Sequence, residues 1–421
     1  MVAGSRSLVG GQSEAASEDG EQARSILLIT PSWPHPPTWG FATRVFQLAR
    51  QLARRHRVSL LAYGDGSSAT AQITAASIFD SVELVGQRES LRNRRQAQIG
   101  SLLSTRSFHL GAFRSEEMHA AVQGMLARGD FDIVQLESSQ MGFVLPLGEV
   151  PVVLDEHNIE FLLLRRLAAV ESSMPRKTFG YLEAAKARRE ELNAWAGCDG
   201  TVFTSAADLS VARDALREKP ACVVPNGVDT EYFHPSSVEP EPSTVVFVGA
   251  INYRPNTDAV VHFLRDVMPR LKRMKPSARF VVVGNGAPEW LIRMAGPDVE
   301  FTGRVDDVRL QANRAAVVVA PLRAGSGTRL KILEALAMGK PVVTTSIGCE
   351  GLSVTTGEHL EVADDPDTFA EKTARLMSDR EAASELGRSG RRLVEREYSW
   401  EVAAGRLEQF HTQVLRKETR V

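Results

Sequence analysis

APLRAGSGTRLKILEALAMGKPVVTT (320–345) sets the fold: an apolar run ends at Pro321, a glycine and serine loop follows, a helix opens near Thr328, and a second apolar run, PVVTT (341–345), succeeds it. Short apolar runs that alternate with amphipathic stretches wind a parallel sheet with helices on its faces. Upstream the alternation continues through STVVFVG (243–249), ARFVVVG (278–284), VEFTG (299–303) and AVVVAP (316–321). It breaks at TEYFHPSSVEPEPS (230–243), a proline- and serine-rich stretch that reads as a linker. Before the break the same rhythm runs through SILLIT (25–30), RVSLLAY (57–63), SVELVG (81–86), DIVQLES (132–138), PVVLDEH (151–157), GTVFTS (200–205) and ACVVPN (221–226). These near-continuous apolar runs suit parallel strands buried on both faces. Between them lie helical stretches such as Ala42–Arg54, with Val45, Leu48, Ala49 and Leu52 on one stripe.

Two consecutive doubly wound α/β domains result, at 25–227 and 244–397, joined by a linker at 228–243. The stretch 398–421 is a single amphipathic helix with no strand after it, free to cross back over the linker. Residues 1–24 are small, polar and acidic; they lack the layout of a signal peptide and read as a disordered tail. A length of 421 residues suits two cores rather than one. With 43% apolar residues, 24% charged residues and a net charge of −2, nothing calls for a nucleic-acid partner. Cys198, Cys222 and Cys349 lie too far apart in sequence for a CxxC site or a disulfide framework, and a reducing, cytoplasmic compartment is the simpler expectation. No apolar run reaches the roughly 18 residues a spanning helix needs, so the expected protein is soluble or peripheral.

Ligands of doubly wound sheets sit at the carboxyl ends of the strands, so the loops after the strands carry the chemistry. In the 320–345 segment, Gly325 and Gly327 allow close backbone approach, and the free amides of Gly327, Thr328 and the helix start attract anions. Arg329 and Lys331 place two positive charges where the helix dipole disfavours them. Leu330, Leu333 and Ala337 form the expected buried stripe, whereas Gly327, Lys331 and Glu334 share another face. A diphosphate at the helix start and a ribose one turn along, held by Glu334, would use that face. The same residues also read as an ordinary glycine-rich loop with a Lys331–Glu334 surface pair, and spacing alone does not separate the two.

The segment resembles the donor-binding signature of family 4 GT-B glycosyltransferases, in which a Glu, seven residues and a second Glu mark this helix. Glu334 falls on the second Glu and Ser326 on the first, the position that in the family commonly contacts the donor sugar. VVPNGVDTEYFHP (223–235) resembles the family's PNGVD signature and carries Asn226. PVVLDEHNIE (151–160) resembles the strand and loop that present a histidine to the donor sugar, here His157. PSWPHPPTWGFATRVFQLARQLARRHRVSLL (31–61) resembles the first strand, loop and helix; of the family's two loop glycines only Gly40 is present, with Trp39 beside it as a candidate for stacking on an acceptor. VEFTGRVDDVRLQ (299–311) resembles the loop that holds the nucleotide base through Gly303, Arg304 and Val305. In VFVGAINYRPNTDAV (246–260), Ala250 and Asn256 stand where many members carry cations, which leaves Arg329 and Lys331 as the main phosphate charges and Arg254 as a weaker one.

The resemblance implies a GT-B fold, with the N-terminal domain on the acceptor side and the C-terminal domain binding the nucleotide sugar. It implies transfer of a sugar to a glycan, lipid-linked or small-molecule acceptor in polysaccharide or glycoconjugate biosynthesis, with retention of configuration and without metal or cofactor. No convincing acidic pair sits in a phosphate loop; Asp306-Asp307 reads better as a helix cap. An epimerase, a hydrolase, a sugar phosphorylase or a non-catalytic binding module would share the two-domain pattern. A nicotinamide dehydrogenase fits poorly, because SILLIT is followed by PSWPHPP rather than GxGxxG. The basic stretches RNRRQ (92–96) and PRKTF (175–179) read first as solvated helix faces and second as contacts to an anionic membrane with a lipid-linked acceptor, which would make the protein peripheral at its inner face.

Overall fold

The computed structural model describes residues 23–37, 39–64, 77–86, 100–102, 104–171, 173–324 and 329–418. It contains two sheets, each wholly parallel. The first is built from β1 (Ser25–Thr30), β2 (Arg57–Tyr63), β3 (Ser81–Val85), β4 (Ile133–Glu137), β5 (Val152–Glu156), β6 (Gly200–Phe203) and β7 (Ala221–Val223), in the spatial order β3-β2-β1-β4-β5-β6-β7. The second is built from β8 (Glu241–Val248), β9 (Arg279–Val283), β10 (Val299–Gly303), β11 (Ala315–Ala320), β12 (Val342–Thr344) and β13 (Glu361–Val362), in the order β10-β9-β8-β11-β12-β13. Both are doubly wound sheets in which strand order reverses beside the first strand, between β1 and β4 and between β8 and β11.

The expected strands all form, mostly trimmed by one to three residues at their ends. Two differences have physical causes. β8 opens at Glu241 rather than Ser243, and Pro242 is tolerated there because the register with β11 shifts at that point. β13 was not anticipated, since two residues leave no apolar run to recognise. Arg24, assigned to the tail, is buried: its amide donates to His56 Nδ1 at 3.2 Å and its guanidinium to the Glu408 carbonyl at 3.1 Å. Ala23 is exposed, and residues 1–22 of the proposed tail lie outside the described residues.

The C-terminal helix Trp400–Glu418 returns to the first sheet, where Trp400, Ala404, Leu407, Phe410 and Val414 share a core with Ile26, Leu28 and Leu48. The turn at Asn226-Gly227 runs flush against the start of that helix. A Cβ at Gly227 would lie 2.8 Å from the Trp400 amide nitrogen, so any larger residue would force the crossing apart.

The helix of the 320–345 segment spans Leu330–Ala337, with Arg329 as its extended N-cap, so it opens two residues after Thr328, which lies outside the described residues. Its buried residues are Ile332, Leu333, Ala335, Leu336 and Ala337. Leu330, expected on the same stripe, instead packs against the core of the other domain. Helical period identifies an apolar residue but not which surface it covers.

Candidate active site

The helices that follow β1 and β11, at the two switch points, are Gly40–Leu52 and Leu330–Ala337. Their first residues meet: a Cβ on Gly40 would lie 3.7 Å from Leu330 Cδ1. Neither helix has a side-chain cap or an acidic residue in its first turn. Two N-termini whose N-cap side chains make no cap bond, each with a partial positive charge, are thus brought together.

Lys331 reaches from this junction into the second domain. Its Nζ donates to Asn256 Oδ1 at 2.7 Å and lies 4.2 Å above the Phe247 ring centroid. Asn256 is held in turn through its Nδ2, which donates to the Ala250 carbonyl at 2.8 Å. Gly249 leaves the space for this arrangement, because a Cβ there would stand 2.7 Å from the ammonium. Asn256 and Ala250, which stand where the family often has cations, therefore serve as a tether for the cation that remains. Enclosure, and secondarily the like charge of Arg329, pushes the Lys331 pKa down to about 7. Burial also lowers that of Arg329.

Glu334 is enclosed as well, and burial raises its carboxyl to about 7 against the pull of Lys331. No hydrogen bond from a described residue reaches that carboxylate, and no ion pair joins it to Lys331. The reading of these two as an exposed surface pair therefore does not hold. Arg254 turns away to Glu171 at 3.0 Å, and Arg166 forks onto Glu350 at 2.7 and 2.8 Å, so two ion pairs tie the domains at one edge of the cleft. In this structure Arg254, read as a weaker phosphate charge, is engaged in that exposed ion pair.

His157 follows β5 directly and is buried. Its Nε2 lies 2.8 Å from Glu137 Oε2, and its ring stacks on Phe41 at 4.4 Å; Phe41 stacks in turn on the half-exposed Trp39 at 5.2 Å. Beneath this stack the Arg44 guanidinium donates to both oxygens of Asp155 at 2.9 and 2.8 Å and to Asn226 Oδ1 at 3.1 Å. Asn226 is thus brought to a buried ion pair inside the first domain. Among the described residues, Glu137, Asp155 and His157 form a group whose potential metal-ligand atoms lie within 4.8 Å of one another. Arg44 already supplies the countercharge to Asp155, and Glu137 is bonded to His157, so the donor atoms a cation would need are engaged.

Gly303, with φ +68, ends β10 at the carboxyl edge of the second sheet, followed by exposed Arg304 and half-buried Val305. Asp307 caps the helix Val308–Arg314 by accepting from the Arg309 amide at 2.9 Å, as the sequence suggested. Ser326, Gly327 and Thr328 lie outside the described residues. Glu137, Arg44 and Phe41 were not singled out from the sequence. A carboxylate at the end of the apolar DIVQLES run and an arginine on the apolar stripe of the first helix were the available signals.

Two parallel doubly wound sheets that meet through the helices at their switch points, with a C-terminal helix crossing back to the first, define the GT-B class of fold. The family models agree along most of the chain: one described as "Glycosyltransferase Family 4" matches residues 40–232, and one described as "Glycosyl transferases group 1" matches 242–379. The chain belongs to the family 4 type of GT-B glycosyltransferases.

Among relatives, the GDP-mannose-dependent monoacylated alpha-(1-6)-phosphatidylinositol monomannoside mannosyltransferase of Corynebacterium glutamicum is 29% identical over 218 residues, covering 47% of this chain and 56% of that protein. The match therefore spans just over half of that relative. Phosphatidyl-myo-inositol mannosyltransferase of Mycobacterium leprae is 26% identical over 328 residues, covering 73% of this chain and 80% of that protein. The solved structure of sucrose-phosphate synthase from Thermosynechococcus elongatus superposes with a TM-score of 0.71 at 16% identity, covering 94% of this chain and all of that one, which speaks to the fold.

Proposed function

We propose that this protein moves a sugar from a nucleotide-diphosphate donor onto a glycan, lipid-linked or small-molecule acceptor, retaining the anomeric configuration and using no metal or other cofactor. The observation that carries the reading is the meeting of two helix N-termini without a side-chain cap beside Arg329 and Lys331. A diphosphate there would restore the charge that enclosure takes from Lys331 and would accept from the first-turn amides. The enclosed Glu334, with no hydrogen bond from a described residue, suits ribose hydroxyl donors. Gly303, Arg304 and Val305 line the edge where the base would lie.

In this scheme the C1–O bond to the diphosphate breaks while the acceptor oxygen bonds C1 on the same face, and the acceptor's proton passes to the departing phosphate oxygen. Arg329, Lys331 and the amides at Gly40 take up the charge that develops, each well-placed donor contributing about 3–4 kcal/mol. His157 acts beside the transferred sugar.

The two named mannosyltransferases act on phosphatidylinositol-linked substrates by their names, which favours a lipid-linked acceptor for this chain too. Val170 and Met174, 55% and 69% exposed, stand beside exposed Arg176 at the start of the helix Met174–Gly197 and would suit peripheral contact with an anionic membrane from the cytoplasmic side. The RNRRQ stretch lies outside the described residues. Among the described residues, no helix is long and apolar enough to cross a membrane.

The test is a thermal-shift screen of UDP-, GDP- and ADP-sugars, followed by incubation of the stabilising donor with lipid and glycan acceptors. A new glycoside with the donor's anomeric configuration by NMR is expected. Phosphate-dependent release of sugar 1-phosphate, epimerised donor, or binding without turnover would each refute the transferase reading.

A further inference from the structure

His157 is one end of a buried polar chain that runs through the first sheet. Glu137 Oε2 meets His157 Nε2 at 2.8 Å, and Glu137 Oε1 accepts from Gln135 Nε2 at 2.7 Å. Gln135 Oε1 meets His411 Nε2, on the C-terminal helix, at 2.9 Å. The polarity of this chain follows from the Gln135 amide, whose nitrogen faces Glu137 and whose oxygen faces His411. Full burial pushes the His411 pKa down to about 3, so that ring is neutral, and facing an amide oxygen it donates through Nε2–H. Gln135 then presents its N–H groups to Glu137; burial raises the Glu137 pKa against the pull of its bonds to His157 and Gln135, and in its ionised form Glu137 accepts from both neighbours. The remaining acceptor oxygen faces His157 and selects the tautomer with hydrogen on Nε2.

The backbone at this point is also unusual. Ser138, immediately after Glu137, has φ +76 and ψ 148, a region that non-glycine residues rarely occupy, and its side chain accepts from the Gln140 amide. A strained residue at the carboxyl end of the switch-point strand persists only where its surroundings over-determine it. Phe41 closes the remaining side by stacking on the imidazole at 4.4 Å, and Asp155, 3.7 Å from Nε2, is neutralised by Arg44. Glu137 and Asp155, the latter paired with Arg44, are thus charged groups beside the ring among the described residues.

We propose that Glu137 is a positioning residue for the transfer reaction: it holds His157 as the Nε2–H tautomer, in a fixed ring orientation, and stabilises positive charge on that ring. This rests on the reading of His157 as part of the transferase site. Glu137 itself touches no substrate; it acts through the histidine, as a carboxylate does behind a catalytic imidazole.

Turnover and donor KM are measured for His157→Ala, Glu137→Gln, Glu137→Ala and the double variant Glu137→Ala with His157→Ala, and imidazole ¹⁵N shifts are recorded for the wild type and both Glu137 variants. Replacing the charge-assisted bond by a neutral one in Glu137→Gln should lower kcat about tenfold with donor KM unchanged. Glu137→Ala should approach the roughly 10²-fold loss of His157→Ala, and the double variant should be no worse than His157→Ala alone, because both changes remove one function. The His157 ¹⁵N signature should be the Nε2–H form in the wild type and a tautomer mixture in Glu137→Ala. Should Glu137→Ala not fold, Glu137→Gln and its spectrum carry the test. Wild-type kcat and an unaltered His157 signature in Glu137→Gln, alongside an impaired His157→Ala, would overturn the role of Glu137 while leaving the site intact. Full activity in His157→Ala would instead overturn the reading of the site, and the proposal with it.

Discussion

Binding of a nucleoside diphosphate should draw a proton onto Lys331. Its folded pKa is about 7 against an ordinary value of 10.5; enclosure is the largest cause, the like charge of Arg329 adds to it, and Glu334 offsets it only in part. At about 1.36 kcal/mol per unit, holding this ammonium charged in the empty site costs roughly 5 kcal/mol. The sign follows from proton counting. Between about pH 7 and 10.5 the unfolded chain binds the proton and the folded chain does not, so stability of the empty protein rises with pH across that window, and the full cost is felt below pH 7. A diphosphate beside the ammonium reverses the shift. Above pH 7 each added pH unit should therefore weaken binding by about tenfold until the pKa of the bound state is reached. Titration calorimetry at pH 8.5 with UDP and GDP, in buffers of different ionisation enthalpy, reads the proton directly. At that pH Glu334, with a pKa near 7, is already ionised and contributes little. Close to one proton taken up per nucleotide is expected, and close to none in Lys331→Met. Uptake that persists in Lys331→Met, or no uptake in the wild type, would show that this lysine does not face the phosphates.

Further expectations rest on separate contacts. Glu334→Gln should weaken donor binding by about 1–3 kcal/mol while acceptor KM barely moves, since a charged acceptor for hydroxyls becomes a neutral one; calorimetry with the donor alone reads this. Arg44→Met leaves Asp155 buried without its countercharge and should cost about 3–5 kcal/mol of stability in denaturant unfolding, whereas a neutral outcome would mean that water replaces the guanidinium. Activity should survive EDTA; loss that magnesium or manganese restores would show that a metal supplies charge assigned here to Arg329 and Lys331.

The strands were legible because parallel strands covered on both faces must be apolar along their whole length, and that pattern stands out in any window. Their ends were not, because a strand stops where its neighbour stops donating, and a two-residue strand such as β13 has no pattern at all. Leu330 shows the same limit on a helix: the residue was read correctly as apolar and incorrectly as core of its own domain, since a period of 3.6 carries no information about a second domain.

Buried charges were the harder case, and they show where reading from sequence stops. An ionisable group inside an apolar pattern is costly unless it is paired, hydrogen-bonded or neutral, so Arg44, Glu137, Glu156 and Glu191 each announce a specific partner without naming it, and burial pushes the Glu156 carboxyl up to about 8 and raises that of Glu191. Two of these carboxylates serve architecture. Glu191 accepts from the amides of Glu160 and Phe161 at 2.7 Å each and so closes the start of the helix Glu160–Ala169, and Glu156 accepts from Trp195 Nε1 at 3.0 Å. Glu137, at the end of the neighbouring strand, meets a histidine at the cleft instead. Nothing in the residue types separates these roles. Only the alternation along a strand does: Asp155 and His157 lie on the same face of β5 and its extension, Glu156 on the other, so Asp155 and His157 converge with Glu137 while Glu156 turns toward Trp195. In a doubly wound sheet, the face on which a terminal charge falls separates a carboxylate that braces a helix from one that positions a ring in the cleft.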